Sequence, residues 1–122
     1  VNYTGAVNVA IASKSYLLET SGMLMNFTSS SYTRGRAFYA LYSSTNAAIV
    51  NFTQALADEW VNDDIRVTCI NPERTATPMR TANFGIEPSD LLLQAKDVAL
   101  TSLKVLGSNN TGIIIDIRKD GR

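Results

Sequence analysis

Ser29 and Tyr42 stand thirteen positions apart, and the segments around them suit a site that handles a carbonyl oxygen. A short apolar run at 23–27 delivers Thr28-Ser29-Ser30-Ser31 at its carboxyl end. In open α/β sheets ligands bind outside that end of the strands. Tyr42 falls in the first part of the next helical segment. A serine hydroxyl and a phenol converging on one point can grip a carbonyl oxygen, with the phenol giving or taking the proton while a cofactor moves hydride. Taken alone, the pair also reads as loop polarity and an aromatic residue at a helix start, so the surrounding segments have to decide.

Composition narrows the chemistry. With 122 residues, 45% of them apolar and 18% charged, the chain fits one compact domain of ordinary soluble composition. Eleven basic residues balance eleven acidic ones, so no net field favours nucleic acid or an anionic membrane. Histidine is absent, which leaves proton transfer to Tyr, Lys, a carboxylate or water. The lone Cys69 cannot form an internal disulfide, and without histidine it cannot complete a usual zinc site. It reads as a small hydrophobe in a strand, and no metal is expected. No stretch reaches the roughly 18 to 20 apolar residues of a membrane span, and no signal peptide is visible. The expected location is the cytoplasm. Asn-x-Thr triplets at Asn2, Asn26, Asn51 and Asn109 read as chance, with Asn26 and Asn51 inside elements expected to be packed. The chain opens directly on Val1-Asn2-Tyr3-Thr4-Gly5, with no lead-in strand, and reads as truncated at its front.

The elements that must hold these residues follow from periodicity. Ala6, Val9, Ala10, Leu17 and Leu18 recur near helical spacing over 4–20, and Ser21-Gly22 ends that helix with Gly at the stop position. Residues 23–27 read as a buried strand, and a polar loop carrying Arg34 and Arg36 follows. A second long helix covers 38–61, with Ile49, Phe52, Leu56 and Trp60 as its apolar stripe, a core or interface feature. A strand at 65–70 is closed by Asn71-Pro72. Residues 73–88 read as a long irregular segment, of the kind that forms lids and binding loops. A possible short turn at 89–93, a helix at 95–106, a turn at 107–112 and a strand at 113–117 complete the chain. Apolar strands alternating with helices predict a partial Rossmann-like three-layer α/β fold, with three parallel strands and three main helices.

Set on these elements, Gly22-x-x-x-Asn26-x-x-Ser29 followed by Tyr42-Ser43-Ser44-Thr45-x-Ala47-Ala48 resembles the central signature of the short-chain dehydrogenases/reductases. Asn2-x-x-Gly5 is similar to the segment carrying the Asn of that family's catalytic tetrad. Ile65-Arg66-Val67-x-x-Ile70-Asn71-Pro72 is similar to its sixth strand, and Thr111-Gly112 leads into what looks like its last strand. The resemblance spans the whole chain as the C-terminal half of such a fold. It implies that Asn2 orders a water, Ser29 holds the substrate oxygen and Tyr42 is the acid/base. Pro72, Thr77 and Met79 would contact the nicotinamide end of NADP or NAD. It further implies a homo-oligomer joined through the helices at 4–20 and 38–61, with no nucleic acid or membrane partner.

The segment from Asn71 to Gly85, with Glu73-Arg74 after the proline and Thr77-Pro78-Met79-Arg80 beyond, resembles more narrowly the reductase domain of bifunctional bacterial enzymes that form CDP-ribitol. Those reduce ribulose 5-phosphate. In that reading Arg74 and Arg80 clamp the substrate phosphate, since guanidinium forks match phosphate oxygens, with Arg34 and Arg36 as weaker candidates; the plainer reading is solvated loop charge.

Two departures bear on activity. The family's lysine four residues after the tyrosine is Asn46 here, which offers hydrogen bonds but no charge. A phenol ionises near pH ~10, and a nearby cation favours the phenolate. No Gly-rich dinucleotide fingerprint precedes the motifs, so the pyrophosphate cradle of a helix N-terminus is missing. The chain alone is therefore expected to bind no dinucleotide and to be inactive. Two functions remain open: part of an NAD(P)-dependent sugar-phosphate reductase, or a catalytically inactive dimerisation module of the same fold.

Overall fold

The computed structural model describes residues 2–29, 34–35, 37–88 and 91–119. Helix α1 (Asn2–Thr20) leads into strand β1 (Met23–Phe27), and helix α2 (Ala40–Glu59) into strand β2 (Arg66–Pro72). Two-residue strands β3 (Thr75–Ala76) and β4 (Leu93–Gln94) bracket helix α3 (Pro78–Phe84). Helix α4 (Ala95–Leu106) and strand β5 (Ile114–Ile117) follow. The main sheet has the order β1-β2-β5, parallel throughout, with Met23 opposite Arg66 and Cys69 opposite Ile114.

Strand alternation splits the core into two layers, one on each side of this sheet. Leu24 and Val67 pack with Ala10, Leu56, Ala57 and Trp60 from α1 and α2. On the opposite side Ile70 and Ile117 pack with Leu93 and with Val105 of α4. The central strand is covered on both faces: Val67, Thr68, Cys69 and Ile70 are all 0% exposed. Its fully buried stretch is Val67, Thr68, Cys69 and Ile70, small or β-branched residues that suit a strand inside a parallel sheet. Burial pushes the Cys69 thiol up to about 11, with the Thr53 hydroxyl pulling weakly the other way. At neutral pH it remains a thiol packed in the core.

One polar pair sits in the α2 layer. Asn26 Nδ2 donates to Thr53 Oγ1 at 3.0 Å, and Thr53 Oγ1 donates to the Ile49 carbonyl at 2.8 Å. Both side chains are buried, so losing either partner would strand a polar group at a cost of about 1–3 kcal/mol. Helix α4 begins with a reciprocal cap, Gln94 N–H donating to Asp97 Oδ2 at 3.2 Å. This satisfies an otherwise orphaned amide of the first turn.

The three-layer architecture agrees with the sequence expectation, while several details differ. Residues 73–88 are not irregular throughout, because Thr77 caps a short helix with Pro78 in its first turn. Helix α2 starts at Ala40, not at Phe38, whose φ of 67° lies outside the helical region. Strand β2 runs on through Asn71 and Pro72, and Glu73 N–H, the next amide after the proline, donates to the Ile117 carbonyl at 2.8 Å. At the end of α1 it is Ser21, at φ 51°, that takes the left-handed position. Gly22 instead sits close against the helix it follows: a Cβ there would lie 2.8 Å from Leu17 Cδ2 and 3.0 Å from Thr20 Oγ1. Asn26 is buried as expected, but Asn51 is exposed on α2.

Candidate active site

Because the sheet is parallel, the carboxyl ends of β1 and β2 open on the same side, and the sequence-predicted residues gather there. Ser29 follows β1 by two residues and is half-buried. Tyr42 lies in the first turn of α2 with 51% of its surface exposed. Its ring meets that of Tyr39 edge to face at 6.5 Å between centroids. Phe38, Tyr39 and Tyr42 line a shallow open depression at this helix start.

Hydrogen bonds tie α1, β1, α2 and β2 together. Thr28, adjacent to Ser29, donates to the backbone carbonyl of Asn46 at 3.0 Å, and its N–H donates to the Ile70 carbonyl at 2.9 Å. The end of β1 is thus tied both to β2 and to the turn of α2 that follows Tyr42. Asn2, the first residue of α1, donates through Nδ2 to Thr45 Oγ1 at 3.0 Å. The start of α1 is thereby fixed against the same turn of α2.

Asn46 itself is 3% exposed. Its Nδ2 donates to the Tyr42 carbonyl at 2.7 Å, and its Oδ1 lies 3.4 Å from Thr28 Oγ1 as a possible second acceptor. The amide is spent on backbone and Thr28 and presents no charge.

At the last residue of β2 Pro72 is half-buried, and beyond it Thr77 Oγ1 accepts from Arg80 N–H at 3.1 Å and Met79 is 72% exposed. Arg74 is exposed. Arg80 already holds an anion: Nε donates to Glu87 Oε1 at 2.7 Å and Nη2 to Oε2 at 3.2 Å. The Arg80 guanidinium beside Glu87 holds that carboxyl below its usual range. Arg34 is exposed, while Ser30, Ser31, Arg36 and residues 89–90 lie outside the described residues. No cluster of metal-ligating side chains occurs among the described residues.

Sequence reasoning missed Thr28, Thr45 and Glu87. Thr28 carried a usable signal, a hydroxyl directly after a buried strand. Glu87 carried none: its seven-residue spacing from Arg80 suits a continuous helix, and α3 stops at Phe84.

Residues 1–85 match the family described as short chain dehydrogenase. A bifunctional ribulose 5-phosphate reductase/CDP-ribitol pyrophosphorylase of Haemophilus influenzae is 60% identical over 117 residues, which is 96% of this chain and 25% of that protein. A short chain dehydrogenase from Salmonella enterica serovar Typhi superposes with a TM-score of 0.84 at 31% identity, over 95% of this chain and 49% of its own. A 3-oxoacyl-[acyl-carrier protein] reductase with bound NAD from Brucella melitensis gives 0.81 at 28% identity, over 98% of this chain and 48% of its own. The chain thus spans a quarter of the first relative and about half of each solved structure.

Proposed function

This chain belongs to the short-chain dehydrogenase/reductase family of oxidoreductases, and on that premise we propose that it forms the carbonyl-handling half of an NAD(P)-dependent reductase acting on a ketose phosphate such as ribulose 5-phosphate. The observation that carries the reading is the pair of ties, Thr28 to Asn46 and Asn2 to Thr45, which brings the carriers of Ser29, Tyr42 and Asn2 to one end of the sheet. The 60% identity to the Haemophilus influenzae reductase supports the choice of substrate.

The residues from the end of β2 onward fit the nicotinamide end of a dinucleotide. Thr77 uses its oxygen to cap α3 and keeps a hydroxyl hydrogen to donate, while Met79 offers an exposed apolar contact and Pro72 a rigid one. Asn46 is the exception, because its buried amide brings no cation. When bound there, the cofactor supplies the hydride. The chain's own residues do the rest: Ser29 holds the carbonyl oxygen by hydrogen bonding, and the Tyr42 phenol, open to solvent at the helix start, gives that oxygen its proton. Arg74 and Arg80 attract the phosphate, and Asn2 positions a water at the start of α1.

The direct test is an assay of the full-length protein with NADPH and NADH against ribulose 5-phosphate. Oxidation of either dinucleotide that depends on the ketose is expected, and no turnover of any ketose phosphate would leave only the inactive-module reading.

The chain is also proposed to form a homo-oligomer through α1 and α2. Val9, Ile11, Tyr16 and Leu18 leave both flanks of α1 apolar and exposed, and Leu41 adds to this at the start of α2. Apolar surface of this kind marks association sites. Light scattering on the full-length protein should read at least two copies per particle; a stable monomer at micromolar concentration would remove the proposal. No helix among the described residues is long and apolar enough to cross a membrane.

A further inference from the structure

We propose that Glu87 is the resident counter-anion of a phosphate subsite: its carboxylate occupies the guanidinium fork of Arg80 until a substrate phosphate displaces it, freeing the loop at 85–88. The inference rests on the reading that the substrate is a phosphorylated ketose.

Four observations carry it. The two bonds from Arg80 to Glu87 are parallel and side by side, the geometry in which a guanidinium takes either a carboxylate or a phosphate. The Phe84 ring lies 4.4 Å from the guanidinium centre, so the orientation of the fork does not depend on which anion fills it. The pair is reachable, its side chains being 21% and 20% exposed. Finally, the positive charge of Arg74 acts on the same carboxylate. The carboxylate thus sits in a positive potential that a phosphate taking its place would also meet.

The loop is built to let go. Gly85 ends α3 at φ 74°, in the left-handed region that favours glycine, so Glu87 can swing about it without unwinding the helix. Ile86 is 96% exposed, so its side chain contributes no apolar burial to hold the loop down. Arg80 follows the carboxyl end of β2 by eight residues and lies one helical turn past Thr77, on the proposed substrate side.

Titration calorimetry on the full-length protein tests this with inorganic phosphate, ribulose 5-phosphate and ribulose as probes. Glu87→Gln should bind both phosphate-bearing probes about three- to tenfold tighter, the range of one typical net hydrogen bond, and leave ribulose unchanged. Arg80→Met should lose that gain, and Glu87→Asp, with the charge kept on a shorter arm, should fall between wild type and Gln. Thermal melts of each variant confirm that the fold is intact. If Glu87→Gln binds inorganic phosphate no tighter than wild type, or if no variant binds it, the proposal is overturned whatever the sugar does. If inorganic phosphate behaves as expected but ribulose 5-phosphate binds no better than ribulose, the subsite stands and the substrate assignment falls.

Discussion

Exchanging Asn46 for Lys in the full-length protein should raise ketose-phosphate reduction near neutral pH by about 10²–10⁴-fold, the usual worth of a well-matched acid/base. The wild-type amide is committed to the Tyr42 carbonyl and to Thr28, so this position supplies no cation to the phenol one turn earlier. An ammonium group on the same turn favours the phenolate and prepares the proton transfer. The exchange keeps one tie: Thr28 Oγ1 bonds the Asn46 backbone carbonyl at 3.0 Å, an acceptor that any residue at this position retains. It should cost about 1–3 kcal/mol of stability, because Asn46 is 3% exposed and a longer, charged side chain replaces it. Tyr42→Phe should abolish activity in the Lys background. Equal turnover by the Asn and Lys forms would mean that no cation beside Tyr42 is needed.

The second large effect concerns stability. Ile70→Ala should cost about 2–5 kcal/mol, the transfer loss of three carbons plus the cavity left behind. Ile70 is 0% exposed, pairs with Phe27 on one side and Ile115 on the other, and packs against Leu93, Val105 and Ile117. Neighbours held by the sheet from both sides cannot collapse into the space. Against a total of about 5–15 kcal/mol for a typical domain this is a large share. Urea denaturation of the full-length protein measures it, and Ile86→Ala, at 96% exposure, serves as a control expected within about 0.5 kcal/mol of wild type. A loss below about 1 kcal/mol for Ile70→Ala would mean that the layer between β2 and α4 is not packed as described.

The long-range architecture was legible because it rests on repeated, redundant signals. The stripe of Ile49, Phe52, Leu56 and Trp60, and the apolar runs at 23–27, 65–70 and 113–117, each state helix or strand several times over. What escaped depends on single residues whose meaning is set by three-dimensional context. Ser21 takes the left-handed turn that composition alone would give to the neighbouring Gly22. Thr77 and Pro78 start a helix inside a segment whose Pro and Gly looked disruptive. In the site, Ser29, Tyr42 and Asn2 could be named from spacing and resemblance. The bonds that relate their carriers come from Thr28 and Thr45, ordinary hydroxyls until β1, α1 and α2 meet. Arg80 looked like an open phosphate ligand because nothing in the linear order pairs it with Glu87.

The sheet order β1-β2-β5 also sets how the chain must assemble. Every partner in it is remote: Met23 waits for Arg66, and Cys69 waits for Ile114. No hairpin exists in this sheet to nucleate pairing locally, and each loop closure costs entropy before any ladder bond repays it. Such topologies fold slowly. As the chain leaves the ribosome, β1, with its run of Met23, Leu24, Met25 and Phe27, emerges well ahead of the strand that pairs with it. In that interval the edge it presents to β2 has no ladder to join, and such an edge can pair with other chains. Helix α1, which can form locally and packs Ala10 against Leu24, covers one face of β1 before β2 arrives.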